Sequence, residues 1–135
     1  MKSILWWVRR DFRLTDNEAL IQALQQSDSV LPVFILDPAL IGSKYVGEKR
    51  LGFLYAGLHQ LDHDLREAGS QLILHEGRPL DVFRALHAKV PFDAIFAAED
   101  YSPFALNRDK LILEHFPLVF FGSVSYRHPR YRVLA

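Results

Sequence analysis

Short apolar runs alternate with longer amphipathic stretches along this chain, and that alternation constrains the fold more than any other feature. The apolar runs are Ser3 to Val8, Val30 to Leu36, Leu72 to His75, Ala94 to Ala98 and Leu118 to Phe121. The first has no polar interruption after Ser3, the pattern of a strand buried on both faces. Between the runs, apolar residues recur at helical spacing. Leu20, Ile21 and Leu24 form one stripe. Leu51, Leu54, Tyr55, Leu58, Leu61 and Leu65 form a second, on a helix from Glu48 to about Ala68. Leu80, Phe83, Leu86 and Val90 supply the buried side of a third helix, and Ser102-Pro103 opens a fourth that runs to about His115.

Punctuation fits this division. Thr15 and Glu18 have capping-box spacing for the first helix, with Asp16 as an alternative cap. Asp37-Pro38 ends the second strand, and Gly69 follows the long helix. Strand–helix alternation predicts parallel strands joined by right-handed crossovers. The expectation is an α/β, Rossmann-like, doubly wound five-stranded sheet in the order 3-2-1-4-5, with helices on both faces. In such sheets ligands bind beyond the carboxyl ends of the strands, where the order reverses. Here those ends are Arg9 to Arg13, Leu36 to Asp37, and Glu99 to Ser102.

Composition narrows the function. At 135 residues the chain has the size of one domain. Sixteen basic residues balance sixteen acidic ones, which argues against strong non-specific nucleic-acid binding. With no cysteine, disulfides, zinc-thiolate sites and thiol nucleophiles are excluded, and a cytoplasmic location is the expectation. No signal peptide is read at the N-terminus, and no apolar stretch approaches the about 20 residues of a membrane span.

The candidate constellations are few. Arg9, Arg10, Asp11 and Arg13 sit at the expected switch point. Their guanidinium groups suit a phosphate, a carboxylate or a planar ring; equally, Asp11 pairs with a neighbouring arginine in a solvated loop. There is no dinucleotide glycine fingerprint and no P-loop. His59 and His63 lie one helical turn apart but lack further ligands, so they read as surface or half-buried histidines. No serine sits in a nucleophile elbow. The tail Tyr126 to Arg132 has the composition to touch nucleic acid, but its position favours a frayed or truncated end.

Trp7-Val8-Arg9-Arg10-Asp11-Phe12-Arg13-Leu14-Thr15-Asp16-Asn17 closely resembles the opening signature of the DNA photolyase/cryptochrome family. Val33 to Pro38, Gly47 to Leu54, Leu72 to Pro79, Asp100 to Pro103 and Arg108-Asp109 resemble later family segments in order and spacing. The resemblance covers the chain to about Phe121 and implies an N-terminal α/β domain over residues 1–122, followed by a divergent or truncated tail at 123–135. Family members are deoxyribodipyrimidine photo-lyases or their cryptochrome relatives. Their α/β domain holds a light-harvesting antenna chromophore that passes excitation to FAD in a separate helical domain, for light-dependent DNA repair. Nothing in this stretch resembles the FAD-binding helices. The resemblance therefore implies antenna binding without catalysis, no metal, no catalytic FAD on this chain, and DNA contact only through a separately encoded FAD-binding domain. By position, the residues facing the chromophore are Arg10, Asp11, Phe34, Leu36, Asp37, Arg50 and Asp100. Ala98 and Ser102 stand where folate-binding members carry asparagine and glutamate. That favours a flavin-like ring, FMN or deazaflavin, over methenyl-folate. The alternatives are an interaction module that docks on a flavin domain, and a nucleotide-binding α/β domain unrelated to light.

Overall fold

The computed structural model describes residues 1–9, 12–38 and 48–122, with the backbone alone at 48–51. Its elements run β1 (Ser3–Val8), α1 (Glu18–Gln26), β2 (Ser29–Leu36), α2 (Glu48–Glu67), β3 (Ile73–Glu76), α3 (Pro79–Lys89), β4 (Ala94–Ala98), α4 (Pro103–Leu113) and β5 (Leu118–Phe121). The strands form one sheet in the order β3-β2-β1-β4-β5. Every pairing is parallel, with Trp7 of β1 opposite Val33 of β2 and Ala97 of β4. The expected topology is therefore the observed one, and β1 lies at the centre, where the strand order reverses.

Strand alternation divides the core in two. Ile4, Trp6 and Val8 point to one face, where Leu20 and Ala23 of α1 and Leu58, Leu61 and Leu65 of α2 cover them. Leu5 and Trp7 point to the other, against Val82, Phe83 and Leu86 of α3 and Ile112 of α4. Adjacent strand residues face opposite ways, so each tryptophan anchors a different layer. Trp6 is fully buried and Trp7 nearly so, with Phe83 edge-on to Trp7 at 4.9 Å between centroids. This double burial is why β1 carries no polar side chain after Ser3.

Helix boundaries expose three departures from the sequence reading. Neither Thr15 nor Asp16 caps α1. Asn17 does, its side chain accepting from the Leu20 amide at 3.1 Å while its amide nitrogen donates to the Arg13 carbonyl at 3.0 Å. Asp16 takes φ 52°, a left-handed turn that delivers Asn17 in the extended conformation a cap needs. Leu24, placed in the buried stripe, is exposed, because α1 turns Ala19, Leu20 and Ala23 inward. Tyr55 and Val90 are likewise exposed; Val90 caps α3 and lies past its buried face. Gly69 behaves as expected: at φ 86° it closes α2 with a Ser70 amide bond to the Leu65 carbonyl at 2.8 Å.

Candidate functional site

The carboxyl edge of the sheet assembles the groups that carry chemistry. Arg9, the first residue past β1, is 8% exposed and lies on the α3/α4 face above Trp7. Its guanidinium donates to Asp109 Oδ2 at 3.0 Å, to Asp109 Oδ1 at 2.6 Å and to the Ala98 carbonyl at 3.0 Å. One side chain thereby ties the end of β1 to the end of β4 and to the middle of α4. The bidentate fork suits arginine and no other cation.

A second guanidinium completes the cluster. Arg108 Nε donates to Asp109 Oδ1 at 3.2 Å. The Arg9 and Arg108 guanidinium carbons lie 4.3 and 4.7 Å from the centroid of the Trp7 ring. Burial pulls the Arg9 pKa down to about 10, and the Arg108 charge adds to that; the Asp109 carboxylate opposes both. Arg9 therefore remains a cation at neutral pH.

The Arg9 guanidinium is engaged by Asp109 of α4 and the Ala98 carbonyl; Asp11, the pairing partner read from the sequence, lies outside the described residues. Asp109 was legible: Ala105, Asp109 and Ile112 share one helical face and all three are buried. An acid in an apolar stripe needs a buried partner.

The other expected site residues fall around this cluster. Phe34, Leu36 and Asp37 lie at the exit of β2, and Asp100 lies just past β4. β2 and β4 both flank β1, so their exits are separated by two strand spacings, about 10 Å. Phe34 is buried on the α1/α2 face, and Leu36 is half-buried beside it. Asp100 Oδ1 accepts from the Ser102 amide at 3.0 Å, and its charge raises the Arg9 pKa slightly. Arg10 and Asp11 lie outside the described residues, as do the Arg50 side chain, the loop with Gly42 and Gly47, and the basic aromatic tail.

The folate-diagnostic positions have local roles. Ser102 caps α4, its hydroxyl accepting from the Ala105 amide at 3.2 Å, and the Ala98 carbonyl accepts from Arg9. A cleft of about 420 Å³ opens between the β4 exit, α4 and β5, lined by Glu99, Asp100, Tyr101, Leu106, Asp109 and Phe120 among others. The Tyr101 hydroxyl donates to Glu99 at its mouth.

Phe12 was not among the expected site residues. Its ring lies 5.9 Å from that of Phe34, tilted by 54°, and against Gly57 of α2. No sequence signal joined residues so far apart. His59 and His63 are exposed, and His63 pairs with Glu67 at 3.2 Å. Among the described residues, no group of histidine, cysteine and acidic side chains is arranged for a metal. None of the described helices is long and apolar enough to cross a membrane.

Comparison with known proteins adds the following. Residues 4–118 match the DNA photolyase family pattern. Cryptochrome-1 of Spalax judaei is 39% identical over 106 residues, which are 78% of this chain and 18% of that protein. The deoxyribodipyrimidine photo-lyase of Synechococcus sp. is 34% identical over 106 residues, 78% of this chain and 22% of that one. The chain thus spans about a fifth of the length of the curated relatives it matches. An archaeal photolyase from Sulfolobus tokodaii superposes with TM-score 0.79 and 35% identity, covering 95% of this chain and 32% of that one. That structure contains two FAD molecules and implicates a novel light-harvesting cofactor. A class III photolyase from Agrobacterium tumefaciens has TM-score 0.79 at 26% identity, covering 90% of this chain and 26% of its own.

Proposed function

Because the chain belongs to the DNA photolyase family, we propose that it binds a flat antenna chromophore over the carboxyl ends of β1 and β2 and orients it for transfer of excitation to a catalytic FAD domain. The observation that carries this reading is the placement of Phe34, Leu36 and Asp37 at the β2 exit and Asp100 at the β4 exit, on either side of β1. Open α/β sheets bind ligands there. Apolar Phe34 and Leu36 suit ring faces, and the carboxylates of Asp37 and Asp100 suit ring N–H groups. Arg10, Asp11 and Arg50 belong to the same proposed site. Arg50 would meet ring oxygens.

Arg9 supports the location. Its side chain occupies the β1/β4 crevice on the α3/α4 face, so the ring belongs on the β2 side. A flavin-like ring, FMN or deazaflavin, is favoured over methenyl-folate. Ser102 serves the α4 cap, and Ala98 offers no polar side chain. The two FAD molecules in the Sulfolobus tokodaii relative are consistent with a flavin in the antenna role.

In this reading the chain holds and orients, and the chromophore absorbs. Buried Arg9, Asp109 and Trp7 tie the ends of β1 and β4 to α4 on the opposite face of the sheet, behind the proposed site; holding that edge matters because energy transfer depends on distance and angle. Catalytic FAD and DNA lie with the helical half of the family, and light-dependent repair requires that half. The test is an absorbance titration of the purified chain with FMN, a deazaflavin and methenyl-folate. Saturable binding of a flavin-type ring is expected. Failure of all three to bind below millimolar concentration would sink the reading.

One observation favours docking on a separately encoded FAD domain as well. Phe104, Leu106, Leu111 and Leu113 of α4 are each at least 41% exposed. Phe104 and Leu111 lie along one flank of α4 and Leu106 and Leu113 along the other, and exposed apolar side chains of this kind suit a protein partner. Co-expression with a photolyase helical half, followed by size-exclusion chromatography, tests it; separate elution counts against it.

A further inference from the structure

Phe12 occupies a notch that a single glycine creates. A Cβ built at Gly57 stands 3.0 Å from Cδ2 of Phe12, 3.4 Å from Cε2 and 3.5 Å from Cγ. A Cβ at position 57 therefore requires the ring to give by a few tenths of an ångström. Gly57 lies within α2, where glycine is a poor helix former, so helix propensity does not explain its presence. Phe12 gains only partial burial there. What the notch secures is a particular position for the ring, tilted against Phe34 at the exit of β2.

The neighbours of this contact define its reach. Phe12, Leu36 and Leu54 are the half-buried residues that rim the α1/α2 core at this end, with Phe34 buried beneath them. Phe12 thus stands between the long helix and the end of the second strand. Arg9, three residues earlier, is anchored on the opposite face of the sheet, to α4. The chain leaving β1 is held on both layers within four residues.

We propose that Phe12 is a positioning residue for a bound flat heteroaromatic ring: seated in the Gly57 notch and against Phe34, it sets the gap between α2 and the β2 exit in which the ring lies. This rests on the antenna-site reading above. The ring would lie above Phe12 and Leu36, which pack over Phe34, and a displaced Phe12 would narrow its space or tilt it. An aromatic wall of fixed position gives a planar ligand one orientation.

The test uses the whole 135-residue chain with FMN as probe. Gly57→Ala requires Phe12 to shift by a few tenths of an ångström, and the expected result is an affinity for FMN lower by about threefold or more with the thermal midpoint nearly unchanged. The visible-band circular dichroism of bound FMN should change as well, which a purely structural role would not produce. Gly57→Ala combined with Phe12→Leu, which returns space to the notch, should recover most of the affinity. Should Gly57→Ala lose the fold, Phe12→Leu alone replaces it, with weaker binding and an altered dichroism expected. Wild-type binding of FMN that these substitutions leave untouched overturns the positioning role and leaves the antenna reading standing. A wild-type chain that binds neither FMN nor a deazaflavin overturns both.

Discussion

Arg9 and Asp109 face each other across the top of the sheet, 100 residues apart in sequence, joined by two hydrogen bonds of 3.0 and 2.6 Å with both side chains almost wholly buried. The Arg9 guanidinium stacks on Trp7, and Asp109 shares its carboxylate with Arg108. Asp109 is the carboxylate that lies between two guanidinium groups. Removing it is expected to be worse than removing either arginine alone. Asp109→Asn should lower unfolding free energy by about 3 kcal/mol or more, since a buried ion then loses its counter-charge. Urea denaturation measures this. Replacing Arg9, Arg108 and Asp109 together with apolar residues of similar volume should recover much of the loss, because no uncompensated charge of the cluster remains.

Asn17 does two jobs at the start of α1, accepting from Leu20 and donating to Arg13. Asn17→Ala should cost about 1–2 kcal/mol, the usual range for a lost cap. Asn17→Asp should keep the accepted bond and lose the donated one, falling between the two. Thr15→Ala and Asp16→Gly should cost little or nothing, in contrast to a capping box at Thr15. Thermal melts of the variants rank them.

Two carboxylates make the fold sensitive to acid. The Arg66 side chain and then the Leu72 amide hold Asp62 below its ordinary value of 3.8. The Ser3 and Lys2 amides do the same for Asp93, which thereby pins the start of β1. A depressed carboxyl binds fewer protons in the folded state than in the unfolded one. Its stabilisation is complete above the ordinary value of 3.8 and is lost as pH falls below it, through the folded value. Stability should therefore fall on acidification below about pH 4. Asp62→Asn and Asp93→Asn should each flatten that slope, read as unfolding midpoint against pH.

Asp37 and Asp100 are expected to differ in what they contribute to ring binding. Asp100 also accepts from the Ser102 amide ahead of the α4 cap. Asp100→Asn keeps that acceptor and should weaken FMN only through the lost charge, by about tenfold or less. Asp37→Ala removes a proposed acceptor for a ring N–H and should weaken FMN by about tenfold or more, equivalent to the about 1.5–3 kcal/mol of a charged hydrogen bond. Fluorescence titration compares the two. Wild-type affinity in both variants would remove these carboxylates from the site.

Most of the architecture was legible because it is local. Ser3 to Val8 reads as a strand from its unbroken apolar run, Pro79 and Pro103 mark helix starts, and Gly69 marks a helix end. Alternation of these pieces leaves few topologies, since parallel strands need right-handed crossovers. The caps were less legible. Thr15, Asp16 and Asn17 are all competent side chains, and only the left-handed turn at Asp16 selects Asn17.

The opening signature shows the division most clearly. Its residues alone determined that a buried strand meets a charged loop at the point where the sheet reverses. Together with the later segments they also pointed to the family. Tertiary structure decided what the charges do there. Arg9 could be read as a ligand clamp or as one side of a loop ion pair until α4 brought Asp109 against it. Phe12 had no assigned role until α2 brought Gly57 beneath its ring. The physical reason is the same in both cases. Strand and helix periodicity depend on neighbours within a few residues, whereas a buried charge or a filled notch depends on groups that only folding brings together.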